Sequence, residues 1–137
     1  MAEALFNHYV FTLKELRNQG LEARSAGIIA SEGSPATEEA EIVMKERGID
    51  ISDHRSTHIS PATLEWADHI LVMSQEHKDY ISEYFPGYND KLKLVTEFVG
   101  ELGEIDDPIG CEIDTYRKYG DYLEHLIKKI FKGYSHN

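Results

Sequence analysis

A short, nearly continuous apolar run, His69 to Met73, constrains the fold of this chain most strongly. A strand of this kind is typical of a parallel sheet that is covered on both faces. The run lies between two helix-start signals, Ser60-Pro61 before it and Ser74 after it,. Because a buried strand alternates here with helices, the sequence predicts an α/β fold with a parallel sheet.

The rest of the chain extends this alternation of helices and strands. Two further strands are predicted, over Leu21 to Ile29 and over Leu92 to Phe98,. Apolar periodicity, caps and glycines predict five helices: over Leu5 to Leu16, from Ser34-Pro35 to Gly48, from Ser60-Pro61 over Leu64 and Ala67, from the cap Ser74 with an apolar side formed by Tyr80, Ile81, Tyr84 and Phe85, and over Ile113 to Phe131 with an interruption at Gly120,. Pro86-Gly87 is predicted to be a loop.

Length and composition narrow the class of protein. A chain of 137 residues is expected to form one domain, residues 1–137,. A net charge of −11 argues against nucleic acid as a partner, and no apolar run is long enough to span a membrane,. Cys111 is the only Cys, which excludes an internal disulfide and a Cys-based zinc site,. The absence of a signal-peptide pattern and the single thiol favour the cytoplasm, and the scattered His residues predict no metal site.

The segment Asp107-Pro108-Ile109-Gly110 is the strongest candidate for chemistry. Proline fixes its own φ and keeps the preceding residue out of the helical region, so Asp107 is expected on a rigid loop. A carboxyl group at a fixed angle suits a proton donor. A turn carboxylate without a chemical role is the alternative interpretation of the same residues.

The order and spacing of several segments, taken with Asp107, resemble one family essentially from end to end. The segments are Met1 to Phe6, Ser25-Ala26-Gly27, Gly33 to Ala36, Gly48 to Ser56, Ala67 to Met73, His77-Lys78 and Asp107 to Gly110. The chain resembles the low-molecular-weight protein tyrosine phosphatases, which include bacterial arginine phosphatases and are related to thioredoxin-coupled arsenate reductases. The resemblance implies a three-layer, doubly wound fold whose parallel sheet has four strands in the family. It also implies a phosphorylated protein substrate, no cofactor, Asp107 as general acid, and a substrate wall formed by Ile28, Ile29, Ala30 and Ile109.

One part of the family pattern is not found in these residues. Met1 resembles the position directly after the family's first strand and Cys-x5-Arg-Ser-Pro loop, which supplies the nucleophilic Cys and the phosphate-binding Arg. The chain is therefore expected to be inactive by the family mechanism, and a noncatalytic binding protein is the alternative function. Arsenate reductase activity is disfavoured because a single Cys cannot pass a disulfide along. The choice between phosphotyrosine and phosphoarginine stays open.

Cys111 to Arg117 also spells Cys-x5-Arg, but this match is interpreted as a coincidence. A phosphate loop needs backbone N–H groups that point inward, so small residues predominate in it. Here Glu112, Asp114 and Tyr116 intervene, and two carboxylates would repel a phosphate and oppose thiolate formation. The segment is predicted to open the last helix instead.

Without the family's first strand, the strands near Leu21 and His69 would border an empty position in the sheet. Unpaired N–H and C=O groups are costly and favour pairing with another strand. Three outcomes follow as alternatives: further residues upstream of Met1, direct pairing that closes the gap, or a homodimer in which two chains repair or exchange strands.

Overall fold

The computed structural model describes the backbone of residues 1–13, 20–28 and 32–135, with side chains as far as residue 132. Its elements in chain order are helix α1 (Ala2–Thr12), α2 (Glu38–Glu46), α3 (Pro61–Trp66), strand β1 (Ile70–Val72), α4 (Gln75–Tyr84), a 3₁₀ helix (Pro86–Lys91), β2 (Leu92–Leu94), α5 (Val95–Phe98) and α6 (Ile113–Ser135). The predicted loop at Pro86-Gly87 is therefore the start of a 3₁₀ helix.

Strands β1 and β2 form a parallel pair, with Ile70 opposite Leu92 and Val72 opposite Leu94. This pair, with helix α4 between its strands in the sequence, confirms the predicted α/β class. The predicted strand from Leu92 to Phe98 is too long, because the chain turns into helix α5 at Val95. Among the described residues the sheet contains two strands, so both are edge strands.

The prediction of a strand over Leu21 to Ile29 was wrong for its described part. Residues 21–26 carry no strand assignment, and Gly27 joins the neighbouring segment by one isolated parallel bridge to His58. The N–H of Gly27 donates to the Thr57 carbonyl (2.8 Å), and the N–H of Ile59 donates to the Gly27 carbonyl (2.9 Å). A strand requires a continuous partner, and a single bridge does not provide one. Ile29 lies outside the described residues.

The caps of three helices define where those helices begin. Ser60 and Thr63 form a reciprocal capping box at α3, and the Ser74 hydroxyl accepts the His77 N–H (3.4 Å) at α4, which confirms both predicted starts,. Helix α2 begins later than predicted. Thr37 is its cap and accepts the Ala40 N–H (3.3 Å), whereas Ser34 lies in the extended segment before the helix.

The core consists of two clusters of buried side chains. The first lies where α1 and α2 pack on α6, and its most buried members include Leu5, Met44 and Leu126. The second lies between the sheet, α3 and α4; its members are Ile59, Leu64, Ile70, Val72, Ile81, Leu92 and Leu94. Helix α1 ends at Thr12, with an extended Leu13, and its predicted continuation over Leu16 lies outside the described residues. No helix in the described part of the chain is long and apolar enough to cross a membrane.

Candidate active site

Asp107 lies on the loop of residues 100–112, called here the Asp107 loop, which joins α5 to α6. Pro108 is buried, while Asp107 before it is exposed. The Ile109 N–H donates to Oδ1 of Asp107 (3.0 Å), and the Cys111 N–H donates to the Pro108 carbonyl (2.9 Å). Gly110 permits the turn by adopting φ +78°,. The carboxyl group is thus held at a defined angle and open to solvent, as proton donation to a substrate requires.

Three hydrogen bonds attach the first half of the Asp107 loop to the sheet and its neighbouring helices. The Ile105 N–H donates to the Met73 carbonyl at the end of β1 (2.8 Å). The hydroxyl of Thr96, a polar side chain that is almost fully buried, donates to the Gly103 carbonyl (2.6 Å). The carboxylate of Glu104 accepts the Gln75 N–H at the start of α4. These bonds place Asp107 next to the carboxyl end of β1, where parallel sheets commonly build their sites.

The charge of Asp107 acts on two groups from other elements. Burial, and then the charge of Asp107, raise the pKa of Tyr119 on α6 to about 12. Burial lowers the pKa of the Met1 amino group, and the charges of Glu3 and Asp107 partly oppose that shift. Asp107 therefore lies close to the amino end of α1, where the partial positive charge of the helix favours an anion.

Two polar side chains of α1 hold this end of the helix against the extended segment, and the sequence reasoning did not single them out. Glu3 accepts the Ser25 N–H with Oε1 (3.0 Å) and lies 3.3 Å from Nδ1 of His54 with Oε2. Asn7 accepts the Ala23 N–H (2.8 Å) and donates to the Ala23 carbonyl (2.9 Å). An Asn inside an apolar helical pattern was the available signal, because Asn is a weak helix former.

The predicted substrate wall is only partly visible. Ile109 is 68% exposed beside Asp107. Ile28 is half-buried at the end of the extended segment, and Ile29 and Ala30 lie outside the described residues. The wall therefore stays a prediction.

The Cys-x5-Arg match at Cys111 does not have the geometry of a phosphate loop. Arg117 donates twice to Glu46 (3.1 and 2.9 Å) and once to Asp114 (2.7 Å), so its guanidinium is already paired with carboxylates. The hydrogen bonds that Arg117 donates to Glu46 and Asp114 raise its pKa. Helix α6 begins at Ile113, so most of the segment is helical, and the exposed Cys111 lies just before it. Among residues 1–13, 20–28 and 32–135, no three His, Cys, Asp or Glu side chains are grouped to hold a metal ion.

A family of known proteins matches this sequence over its full length. The model of the family described as "Low molecular weight phosphotyrosine protein phosphatase" matches residues 1–137. The chain belongs to the low molecular weight phosphotyrosine protein phosphatase family. This result confirms the resemblance inferred from the sequence and, with the parallel α/β structure, the predicted fold class.

One curated relative and two solved structures illustrate the similarity. A protein-arginine-phosphatase of Geobacillus stearothermophilus is 44% identical over 112 residues, which cover 81% of this chain and 75% of the relative. The solved structure of the YwlE arginine phosphatase from Geobacillus stearothermophilus has a TM-score of 0.86 and 40% identity, covering 96% of this chain and 81% of that one. A low molecular weight protein tyrosine phosphatase from T. tengcongensis has a TM-score of 0.86 and 39% identity, covering 96% and 88%.

Proposed function

We propose that this chain carries the general-acid half of a protein phosphatase site, with Asp107 as the proton donor to the leaving group. The observation that supports this most directly is the exposed Asp107 carboxyl, fixed by the Ile109 N–H on a loop attached to the end of β1. In the family reaction a Cys thiolate attacks phosphorus and forms a cysteinyl phosphate, while the acid protonates the departing oxygen or nitrogen. Water then hydrolyses the intermediate and releases phosphate.

A polypeptide of only these 137 residues is expected to be inactive by that route. Its single thiol, Cys111, stands next to a helix whose Arg117 is paired with Glu46 and Asp114. No other Cys is available to attack phosphorus, and both carboxylates would repel a phosphate dianion from Arg117. Hydrolysis of p-nitrophenyl phosphate by this polypeptide should stay at background, and clear turnover would contradict the proposal.

A grafted chain makes it possible to test the proposed acid, Asp107, separately from the nucleophilic Cys. The family's first strand and Cys-x5-Arg-Ser-Pro loop are joined in front of Met1, and the grafted chain should hydrolyse aryl phosphates. Changing the grafted Cys to Ser should abolish turnover. Asp107→Asn should lower kcat by about 10²-fold or more on phenyl phosphate and by less on p-nitrophenyl phosphate, whose leaving group needs little protonation. Equal losses on both esters, or no loss, would remove Asp107 from the role of acid. Asp106→Asn is the matched control.

Phosphoarginine is the favoured substrate, because the curated relative that is 44% identical over 112 residues is a protein-arginine-phosphatase. Phosphotyrosine is the second candidate, supported by the tyrosine phosphatase from T. tengcongensis. Two peptides of one sequence, carrying phosphoarginine or phosphotyrosine at the same position, distinguish them by kcat/KM with the grafted chain. A preference for the phosphotyrosine peptide would reverse the assignment.

A noncatalytic role is the alternative, and the sheet provides its rationale. In the described part of the chain, β1 and β2 are both edge strands, and an edge can pair with another strand,. We expect a homodimer if two chains repair the sheet in this way. Light scattering after size exclusion tests this, since a clean monomer at high concentration excludes strand exchange between two chains.

We also expect a cytoplasmic location, which fractionation of cells that express the protein would check.

A further inference from the structure

One acidic side chain at the start of the Asp107 loop is bound by three donors from a single face of α6. Glu101 Oε2 lies 2.7 Å from Nε2 of His125 and 2.7 Å from Nζ of Lys129. The Tyr122 hydroxyl donates to Oε1 of Glu101 (3.4 Å). The rings of Tyr122 and His125 stack with centroids 6.0 Å apart. We call these four residues the Glu101 cluster.

Apolar contacts of this region with the core cluster that includes α6 come from Val99 before Glu101 and from Ile105 after it, not from the residue that follows Glu101. Leu102 is 96% exposed and therefore contributes no buried apolar contact. Gly100 (φ +78°) and Gly103 (φ +101°) lie on either side of the pair Glu101-Leu102, so the backbone turns sharply before and after this pair,. The Glu101 N–H donates to the Thr96 carbonyl (2.8 Å), which fixes where the side chain leaves the backbone. The attachment to α6 at this point is thus polar and runs through one carboxylate.

The Asp107 loop is anchored to α6 near each of its ends, and the buried Ile105 lies between these two anchors. Its end runs directly into the first turn of α6 at Ile113, and its start is held near the middle of α6 by the Glu101 cluster. Asp107 lies between these anchors. Between them the Ile105 N–H bonds to Met73 and the Thr96 hydroxyl to Gly103, so the Glu101 cluster acts on Asp107 together with these bonds, and its loss should loosen the loop that they help to hold.

The Glu101 carboxylate is ionised at neutral pH. The hydrogen bonds from Lys129 and then from His125 lower the pKa of Glu101. Each contact alone is exposed enough for water to compete with it, but several donors on one carboxylate restrict its geometry more than a single surface pair does.

We propose that Glu101 is a positioning residue for Asp107, acting through its contacts with His125 and Lys129 of α6. The inference rests on the proposed function only for the role of Asp107 as acid. Whether Glu101 positions the loop does not depend on that role, and it can be measured without an assay of phosphatase activity.

Amide hydrogen exchange of the 137-residue chain, followed by NMR, measures the placement directly. Two reporter amides are those of Ile105, bonded to Met73, and Ile109, bonded to Asp107. The Leu126 amide in the core of α6 is the reference. In Glu101→Gln both reporters should exchange roughly tenfold faster relative to Leu126, because the loop opens locally while α6 stays folded.

Two further variants separate positioning from general stabilisation. Glu46→Gln removes another carboxylate pair with α6, that of Arg117, and should leave Ile105 and Ile109 unchanged relative to Leu126. Glu101→Lys should accelerate both reporters, and Glu101→Lys with Lys129→Glu should restore protection by reversing the charges. Unchanged reporters in Glu101→Gln, uniform acceleration that includes Leu126, or failure of the charge reversal would each overturn the inference. The Asp107→Asn kinetics of the grafted chain decide the proposed function independently.

Discussion

Gly120 lies directly beneath the guanidinium of Arg47, so that a Cβ at position 120 would stand 3.1 Å from Nη2 of Arg47. The same Cβ would be 3.2 Å from Cγ1 of Val43, a buried core residue. Arg47, the residue that caps the end of α2, donates hydrogen bonds to Asp121 and Glu124 of α6. Glu124 also accepts the Tyr9 hydroxyl from α1. The glycine that interrupts the apolar pattern of α6 thus makes room for an ionic link between three helices.

Gly120→Ala is therefore expected to destabilise the protein, although alanine favours a helix by about 1 kcal/mol over glycine. The added methyl displaces Arg47 from its carboxylates and presses on Val43, and we expect a net loss of about 1 kcal/mol in the free energy of unfolding. Urea denaturation measures this. In an Arg47→Ala background the same change should become less costly, and a double-mutant cycle gives the coupling. A stabilised Gly120→Ala protein would contradict the arrangement.

Asn7 is expected to be essential for holding the extended segment on α1. Asn7→Ala leaves the half-buried N–H and C=O of Ala23 without these partners, at a cost of about 2 kcal/mol in unfolding free energy,. Asn7→Asp keeps an acceptor for the N–H but places a carboxylate against the Ala23 carbonyl, so it should also destabilise. The Ala23 amide should exchange faster in Asn7→Ala than in Asn7→Asp. Equal protection in both variants would argue against the paired hydrogen bonds.

Thr37 and Ser34 provide a matched test of where α2 begins. Thr37→Ala removes the cap of the Ala40 N–H and a 3.3 Å contact with the Tyr116 hydroxyl, and it should cost about 1 kcal/mol in thermal or urea unfolding,. Ser34→Ala retains the backbone bonds of Ser34 with Ser56 and should cost less. A larger loss in Ser34→Ala would place the helix start three residues earlier, as the sequence pattern had indicated.

The raised pKa of Tyr119 predicts that the free energy of unfolding falls at alkaline pH. Its pKa is raised from 10.0 to about 12 in the folded protein, so the unfolded chain loses this proton first as the pH rises. The corresponding stabilisation, on the order of 2 kcal/mol, is fully present below about pH 10 and disappears as the pH approaches about 12. Tyr119→Phe should therefore flatten the fall in unfolding free energy over this interval. Tyr84→Phe, at an exposed position, should retain the slope of the unmodified protein. Identical slopes in all three proteins would remove Tyr119 as the cause.

The parts of the fold that depend on neighbouring residues in the sequence were the predictable ones. Ser60 and Ser74 cap α3 and α4 as expected, because an N-cap bonds to an N–H only three residues away,. Ser34 failed as a cap because its segment pairs with the distant Arg55 region, which left the equally suitable Thr37 to start α2. The strand predicted from Leu21 failed for the same reason, since pairing depends on a partner that local pattern does not specify.

The residues of the candidate site also differ in whether neighbouring sequence alone could identify them. Asp107 could be placed on a rigid loop because Pro108 restricts it locally. Glu101 could not be identified, because its importance depends on which face of α6 meets the loop and brings His125 and Lys129 to it. Asn7 and Thr96 were missed for the same physical reason: each bonds to backbone that is distant in sequence or on a following loop.

The exposed thiol of Cys111 gives this protein a practical advantage. It is the only thiol in the sequence, and it lies between Asp107 and the first turn of α6. A maleimide dye or nitroxide would therefore attach at one position, close in sequence to Asp107 and outside both core clusters. Distances from such a label to a second one on α4 would report whether the Asp107 loop moves when a candidate phosphopeptide is added.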